Sequence, residues 1–367
     1  MDPTTVERQE GRSIPSLRMV AEHGLPETLI TNGEERIRGI AERFGMDYRG
    51  VTVTHDTTLQ MTPRGDLETV WGSDRVPDEF VVFVTEMPRL FSGRGGPGRS
   101  RDSVVLAELD RERGAAVISL PALGPSPRRR LGKLIETVVS SLDDSSTEPF
   151  ELSRGLRVER DGETEYVVSE GVYPRVLLTA GMVRGNRPWR LIPTLTGMTA
   201  AAAAAASFGV FFSTIWSMAN ALSPWRLAAI SILSMVLAAL WLIVNNRLWE
   251  RTTDTYRPRA RLYNMATACT VVFSAVVLYV GLFLAVLVAA MTVIDETFLS
   301  SQLGFEAGLH NYLKLAWLAT SMGIFAGALG SSADSHDDVL RATYGYRERL
   351  RRRAAESSTS GELSESS

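Results

Sequence analysis

Long apolar runs without charge constrain this chain most, and they lie between Leu191 and Leu329. A helix needs about 20 apolar residues to cross the ~30 Å hydrocarbon core of a bilayer. We therefore predict a membrane-embedded, all-α four-helix bundle at residues 191–330. The predicted transmembrane helices cover residues 191–219, 227–244, 265–294 and 312–331.

Basic residues predict how these helices are oriented. Three arginines precede the first helix, five lie between the second and third, and six follow the fourth. The other two connections carry only Arg226 and Lys314. Because basic loops stay in the cytoplasm, we predict a multi-pass protein of the inner (plasma) membrane with both termini cytoplasmic. The N-terminus has no apolar segment typical of a secretory signal, which agrees with this orientation.

The predicted helices carry no charged residue or histidine at their centres. Proton-coupled carriers need such groups at depth, so the pattern disfavours an ion-coupled pump. Small residues at Ala200–Ala206 and Gly323–Gly327 permit close helix contact. That contact lies either inside one bundle or at the seam of a homo-oligomer.

Strands alternate with helices in the half before the membrane block. This alternation predicts a cytoplasmic α/β domain at residues 16–145 with an open, partly parallel sheet and a hairpin at its later edge. Residues 1–15 and the end of the tail at 331–367 are polar and predicted to be disordered. Residues 146–190 are assigned to a linking hairpin, which turns at Asp161-Gly162, and a juxtamembrane helix. The predicted strands are Ser16–Glu22, Arg49–Thr54, Phe80–Thr85, Ser103–Leu109 and Ala115–Leu120; the predicted helices are Glu34–Phe44, Pro127–Leu142 and a short one at Asp66–Ser73.

Three loops follow predicted strands, after Glu22, Thr85 and Leu120. In open α/β sheets, ligands bind beyond the carboxyl ends of the parallel strands. We therefore expect these loops to meet on one rim. Its polar residues are predicted to bind a ligand or partner: Glu22, His23, Glu86 and Arg89.

A second set of candidates is basic. Gly93–Gly98 matches G-x-G-x-x-G, but a dinucleotide site needs a helix after the motif, and here a strand follows. A surface loop is the simpler interpretation. At the start of the helix at Pro127–Leu142, arginines oppose the helix dipole, so either a solvated basic face or contact with an anionic surface explains them. The residues predicted to contact anions or lipid headgroups are Arg94, Arg99, Arg128, Arg129 and Arg130.

Motifs for catalysis are missing from the sequence. No H-E-x-x-H, C-x-x-C, G-x-S-x-G or Walker pattern occurs, so we predict no catalytic residue, no metal site and no cofactor. A net charge of −3 disfavours nucleic acid as a partner. The expected partners are the lipid bilayer and a cytoplasmic ligand or protein. A membrane-bound enzyme and a passive pore or lipid transporter are the alternatives to this binding function.

Several stretches together resemble a family of four-span actinobacterial membrane proteins. The likeness covers most of residues 17–347, and it implies no particular activity. Some members carry the label methylenetetrahydrofolate dehydrogenase, but no lysine or aspartate arrangement typical of a folate site accompanies the glycine motif. The resemblance is carried by Gly24–Pro26, Thr85–Arg89, Val117–Gly124, Arg184–Leu191, Leu315–Leu318 and Tyr344–Arg347.

A second resemblance is to archaeal-type zinc metallopeptidases. It rests on the order of Thr85-Glu86, a glycine-rich loop, Ala116–Leu120 and then a helix. In that family the helix carries the zinc histidines, whereas Arg128–Leu142 contains none. The similarity therefore implies a domain without the metal.

Overall fold

The chain forms two compact units, Met1–Met182 and Val183–Ser367, which are described separately. The computed structural model describes residues 14–54, 59–61, 67–69, 79–91, 103–142, 155–162, 164–186, 188, 196–249 and 257–330. The predictions of disorder at residues 1–13 and in the tail at 331–367 fall outside these residues.

The first unit is built on a mixed sheet. Its strands are β1 (Ser16–Glu22), β2 (Asp47–Thr54), β5 (Glu79–Thr85), β6 (Leu90–Phe91), β7 (Ser103–Asp110), β8 (Ala115–Ser119), β9 (Leu156–Asp161) and β10 (Thr164–Ser169). Four parallel strands run in the order β2-β1-β5-β8, and antiparallel β7, β10 and β9 follow; β6 also pairs with β7. The predicted open sheet, parallel at its start with a later hairpin, is confirmed.

A separate small hairpin joins β3 (Leu59–Met61) to β4 (Leu67–Thr69). The sequence predicted a short helix at Asp66–Ser73, and that prediction is wrong for residues 67–69. The three residues of β4 pair antiparallel with β3. A partner strand supplied from elsewhere in the chain outweighs weak local helical preference.

Helices α1 (Leu25–Asn32), α2 (Glu34–Arg43) and α3 (Pro127–Leu142) share the main core of this unit with the sheet. Helix α3 has the predicted bounds, because its apolar residues recur every three to four positions and Pro127 fits the first turn. The sequence missed α1. The sequence predicts a loop after Glu22, whereas α1 begins at Leu25, and Pro26 is compatible with the first turn of a helix.

The hairpin of β9 and β10 turns at the predicted place but has a different role. The sequence assigned it to the connection at residues 146–190. Instead, β10 pairs with β7 along Thr164–Ser169 and extends the main sheet. Helix α4 (Val172–Gly185) follows, with Leu178 and Met182 fully buried. The α/β unit therefore continues to Met182, well beyond the predicted boundary at residue 145.

The second unit is helical. Its helices are α5 (Thr196–Phe211), α6 (Ser213–Ala221), α7 (Pro224–Asn245), α8 (Arg257–Val293), α9 (Glu296–Leu303) and α10 (Leu309–Gly330). Among the described residues, α7, Ala260–Val293 of α8, and α10 are each long and apolar enough to cross a membrane. Only 33% of the apolar window of α7 and 28% of that of α8 is buried. Such large exposed apolar surfaces are typical of proteins that contact lipid.

The first predicted span is not one straight helix. Residues 191–219 were expected to cross continuously, but α5 and α6 meet at Phe212 with a bend of 87°. Apolar composition cannot reveal this break. The described helices thus include three candidate spans, or four if the bent pair counts as one.

Candidate functional site

The predicted rim exists where the parallel strands β1, β5 and β8 end. The backbone N–H of Leu120 donates to the carbonyl of Thr85 at 2.9 Å, and the Ser119 hydroxyl donates to the carbonyl of Met87 at 2.7 Å. The loop after β5 is thereby joined to the loop after β8. The three loops after Glu22, Thr85 and Leu120 therefore meet as the sequence predicted.

Glu22 joins the first of these loops to the second. Its Oε2 atom accepts two hydrogen bonds, one from the Thr85 hydroxyl at 2.8 Å and one from the backbone N–H of Glu86 at 2.9 Å. Thr85 is fully buried and Glu86 is 4% exposed. Glu22 and Glu86 are therefore close together, and Glu22 helps to fix the geometry of the rim.

The other two predicted rim residues have separate partners. The exposed His23 side chain lies 2.9 Å from the carboxylate of Glu27, one turn along in α1. Arg89 is buried and forms an ion pair with Glu108 of β7. Of the four predicted residues, Glu22 and Glu86 thus contact each other, whereas His23 pairs with Glu27 and Arg89 with Glu108.

The basic candidates are also separated. Arg94 and Arg99 lie outside the described residues. Arg128 and Arg129 are exposed on the first turn of α3. Arg130 instead reaches back, and its guanidinium donates to the carbonyl of Leu123 at 3.1 Å.

A cavity of about 550 Å³ lies beside Arg130. It is partly open to solvent and is bordered by α3, the β9–β10 hairpin, the first turns of α4, Leu106 of β7 and the turn at Ala122 and Leu123. This volume falls within the ~300–1,000 Å³ range of small-molecule sites. Much of its lining is apolar: Leu106, Ala122, Leu123, Leu134, Leu156, Val167, Pro174 and Leu177.

The charged lining of this cavity is mostly basic. Arg130 and Lys133 lie one turn apart on the α3 wall, and Lys133 is exposed. Glu170 is the acidic lining residue, and its carboxylate faces Arg157 at 3.6 Å. The cavity therefore combines apolar walls with positive charge concentrated on one side.

The sequence missed this cavity because it placed the β9–β10 hairpin outside the domain. Without that hairpin, Lys133 and Leu134 appear only as parts of an amphipathic helix. The continuous apolar run Tyr166-Val167-Val168 was the available signal that the hairpin joins a core. Val167 and Val168 are both fully buried.

A buried polar cluster lies within the second unit. The hydroxyls of Ser231 in α7, Tyr279 in α8 and Ser321 in α10 are 2.9–3.0 Å from one another. The indole N–H of Trp317 donates to Ser231 at 2.6 Å. These groups satisfy one another's hydrogen bonding, so the cluster links α7, α8 and α10.

No group of three or more histidine, cysteine, aspartate or glutamate residues that could hold a metal ion is present in the described part of the chain. No protein-family model, curated protein or solved structure matches the chain.

Proposed function

We propose that this protein is a multi-pass plasma-membrane protein that holds a ligand-binding α/β domain at the cytoplasmic surface. The observation that carries the proposal is the cavity of about 550 Å³ in a domain whose chain continues into helices suited to lipid. In this proposal the α5–α6 pair serves as the fourth span and completes a four-helix bundle. The predicted resemblance to actinobacterial four-span proteins agrees with that number.

The charge pattern supports the proposed orientation. Fourteen arginines flank the ends assigned to the cytoplasm, whereas the opposite connections contain Arg226 and Lys314. Asp295 caps the N-terminus of α9, which lies in the connection assigned to the outside. Because this connection contains few basic residues, little opposes its transfer across the membrane.

Cysteine labelling in intact cells tests the orientation. Cys269 is the single native cysteine, so Cys269→Ala provides a background without thiols. Ser126→Cys would report on the α/β domain and Ser301→Cys on α9, since both serines are exposed. A membrane-impermeant maleimide should label the cysteine at position 301 in intact cells and that at position 126 only after permeabilisation. The reverse pattern would refute the cytoplasmic placement.

Ligand binding needs a separate test. The full-length protein in nanodiscs can be screened by thermal shift against a small-molecule library that includes lipids. A ligand of the cavity should raise the unfolding temperature, because it binds only the folded state. Thr137 lines the cavity, and Thr137→Trp should abolish that shift by filling it. If no compound gives a thermal shift that Thr137→Trp abolishes, the proposed ligand-binding function is refuted.

A further inference from the structure

We propose that the cavity binds a single-chain amphiphile with an anionic head, such as a fatty acid or a lysophospholipid with a terminal phosphate. This inference rests on the proposed ligand-binding function and names the chemical class of its ligand. The chain would lie among the apolar walls, and the head would lie against Arg130 and Lys133.

The apolar walls favour a hydrocarbon chain over a polar metabolite. Leu134 and Val167 form buried surface at the cavity, with exposed fractions of 5% and 0%. Burial of apolar surface contributes roughly 25 cal/mol per Å² that leaves water. A polar metabolite would lose hydration there without gaining enough hydrogen bonds.

The basic residues of the α3 wall favour a ligand with an anionic head group. Lys133 and Arg130 face the cavity from adjacent turns of α3, and among the described lining residues the single acidic one, Glu170, lies beside Arg157. The mouth therefore favours an anion, and a carboxylate or phosphate can accept hydrogen bonds from both cations. This geometry gives Arg130 a role at the start of a helix, where the dipole disfavours positive charge.

Exposed apolar residues lie at the start of α4, the helix that contributes Tyr173, Pro174 and Leu177 to the cavity wall. Val172, Tyr173 and Val176 at the start of α4 are 78%, 67% and 57% exposed. Tyr173 also lines the cavity. The exposed apolar surface of this helix therefore adjoins the apolar lining of the cavity, which suits the approach of a hydrocarbon chain.

The test uses full-length protein in phosphatidylcholine nanodiscs and measures binding at low salt. Palmitate is delivered from aqueous solution in one arm, and lysophosphatidic acid is preloaded into the bilayer in the other. Binding in either arm supports the proposal and identifies the source of the ligand. Lysophosphatidylcholine, which has no net charge, serves as the matched control ligand and should bind at least tenfold more weakly than lysophosphatidic acid.

Variants locate the site. Lys133→Glu should weaken anionic ligand binding by about tenfold, whereas Lys133→Arg should preserve it. Arg129→Glu is the matched control, because Arg129 is exposed on the same helix but does not line the cavity. Thr137→Trp should abolish binding. Lys133 is exposed, so its variants report on the ligand even if the tryptophan variant fails to fold.

Three outcomes would overturn the proposal: no binding in either arm, equal binding of lysophosphatidylcholine, or equal loss with Arg129→Glu and Lys133→Glu. A non-amphiphilic library compound that Thr137→Trp displaces would also exclude an amphiphile as the ligand. That last result would leave the ligand-binding function intact. If the cavity binds no compound of any class, both the ligand-binding function and the amphiphile proposal are refuted.

Discussion

At the scale of single residues, Glu22 shows how a candidate binding group can serve the fold. Its carboxylate accepts hydrogen bonds from Thr85 and from the backbone of Glu86, both buried. A carboxylate with charge-assisted bonds to buried donors stabilises the loops that carry them. The sequence identified the position of Glu22 at the rim but could not supply its partners, which are more than sixty residues away.

Replacing this carboxylate should destabilise the α/β unit. Glu22→Ala leaves two buried donors without their acceptor, and we expect it to lower the free energy of unfolding by about 1–3 kcal/mol. Thermal or urea unfolding of the purified protein would measure the change. Glu42→Ala removes an exposed carboxylate from α2 and is the matched control. Equal, small effects of both substitutions would contradict the role of Glu22 at the rim.

Tyr48 provides a prediction about pH. Burial, with a smaller contribution from Glu34, raises the pKa of Tyr48 to about 12, and Arg38 opposes the shift. Because the folded pKa lies above the unfolded value, its stabilising effect is full below about pH 10 and is lost as pH rises towards 12. Tyr48→Phe should remove the late component of the tyrosinate absorbance titration and lessen the alkaline loss of stability. An unchanged late component would refute this assignment.

At the scale of elements, α10 packs backbone to backbone against α5. A Cβ atom at Gly323 would lie 2.7 Å from the Ala202 carbonyl oxygen, and one at Gly327 would lie 2.7 Å from that of Met198. The small residues singled out in the sequence therefore lie at a contact within one chain. Whether copies of the chain also associate stays a prediction.

Gly327→Ala should loosen this contact. The added methyl group must displace backbone, and we expect a loss of about 1–3 kcal/mol, the typical effect of overpacking. Gly281→Ala in α8 is the matched control, because a Cβ there meets no atom within 4 Å. Thermal aggregation in detergent would compare the two. Equal destabilisation by Gly281→Ala and Gly327→Ala would contradict the close packing of α10 against α5.

At the scale of the whole molecule, the α/β unit has a boundary that depends on strand pairing. Strand β10 covers the edge of β7, and α4 approaches closely enough that a Cβ at Gly181 would overlap Pro121. Both contacts belong to the unit that ends at Met182. An uncovered β7 would leave unpaired backbone groups at a sheet edge, which promotes aggregation.

Truncation tests this boundary. A fragment of residues 14–182 should be soluble and cooperative in unfolding, whereas a fragment of residues 14–145 should aggregate. Size-exclusion chromatography and circular dichroism would distinguish them. A monomeric, cooperatively folded shorter fragment would show that β9, β10 and α4 are dispensable, as the sequence-based boundary implied.

Features that depend on local pattern could be predicted from the amino-acid sequence. The period of apolar residues set the bounds of β1 and α3, and runs without charge identified helices suited to lipid. Only the tertiary structure decided the place of β9 and β10, the bend at Phe212, and the cavity beside Lys133. These features depend on which distant segments pair and pack. Many partners satisfy a given local pattern, and only the folded chain selects among them.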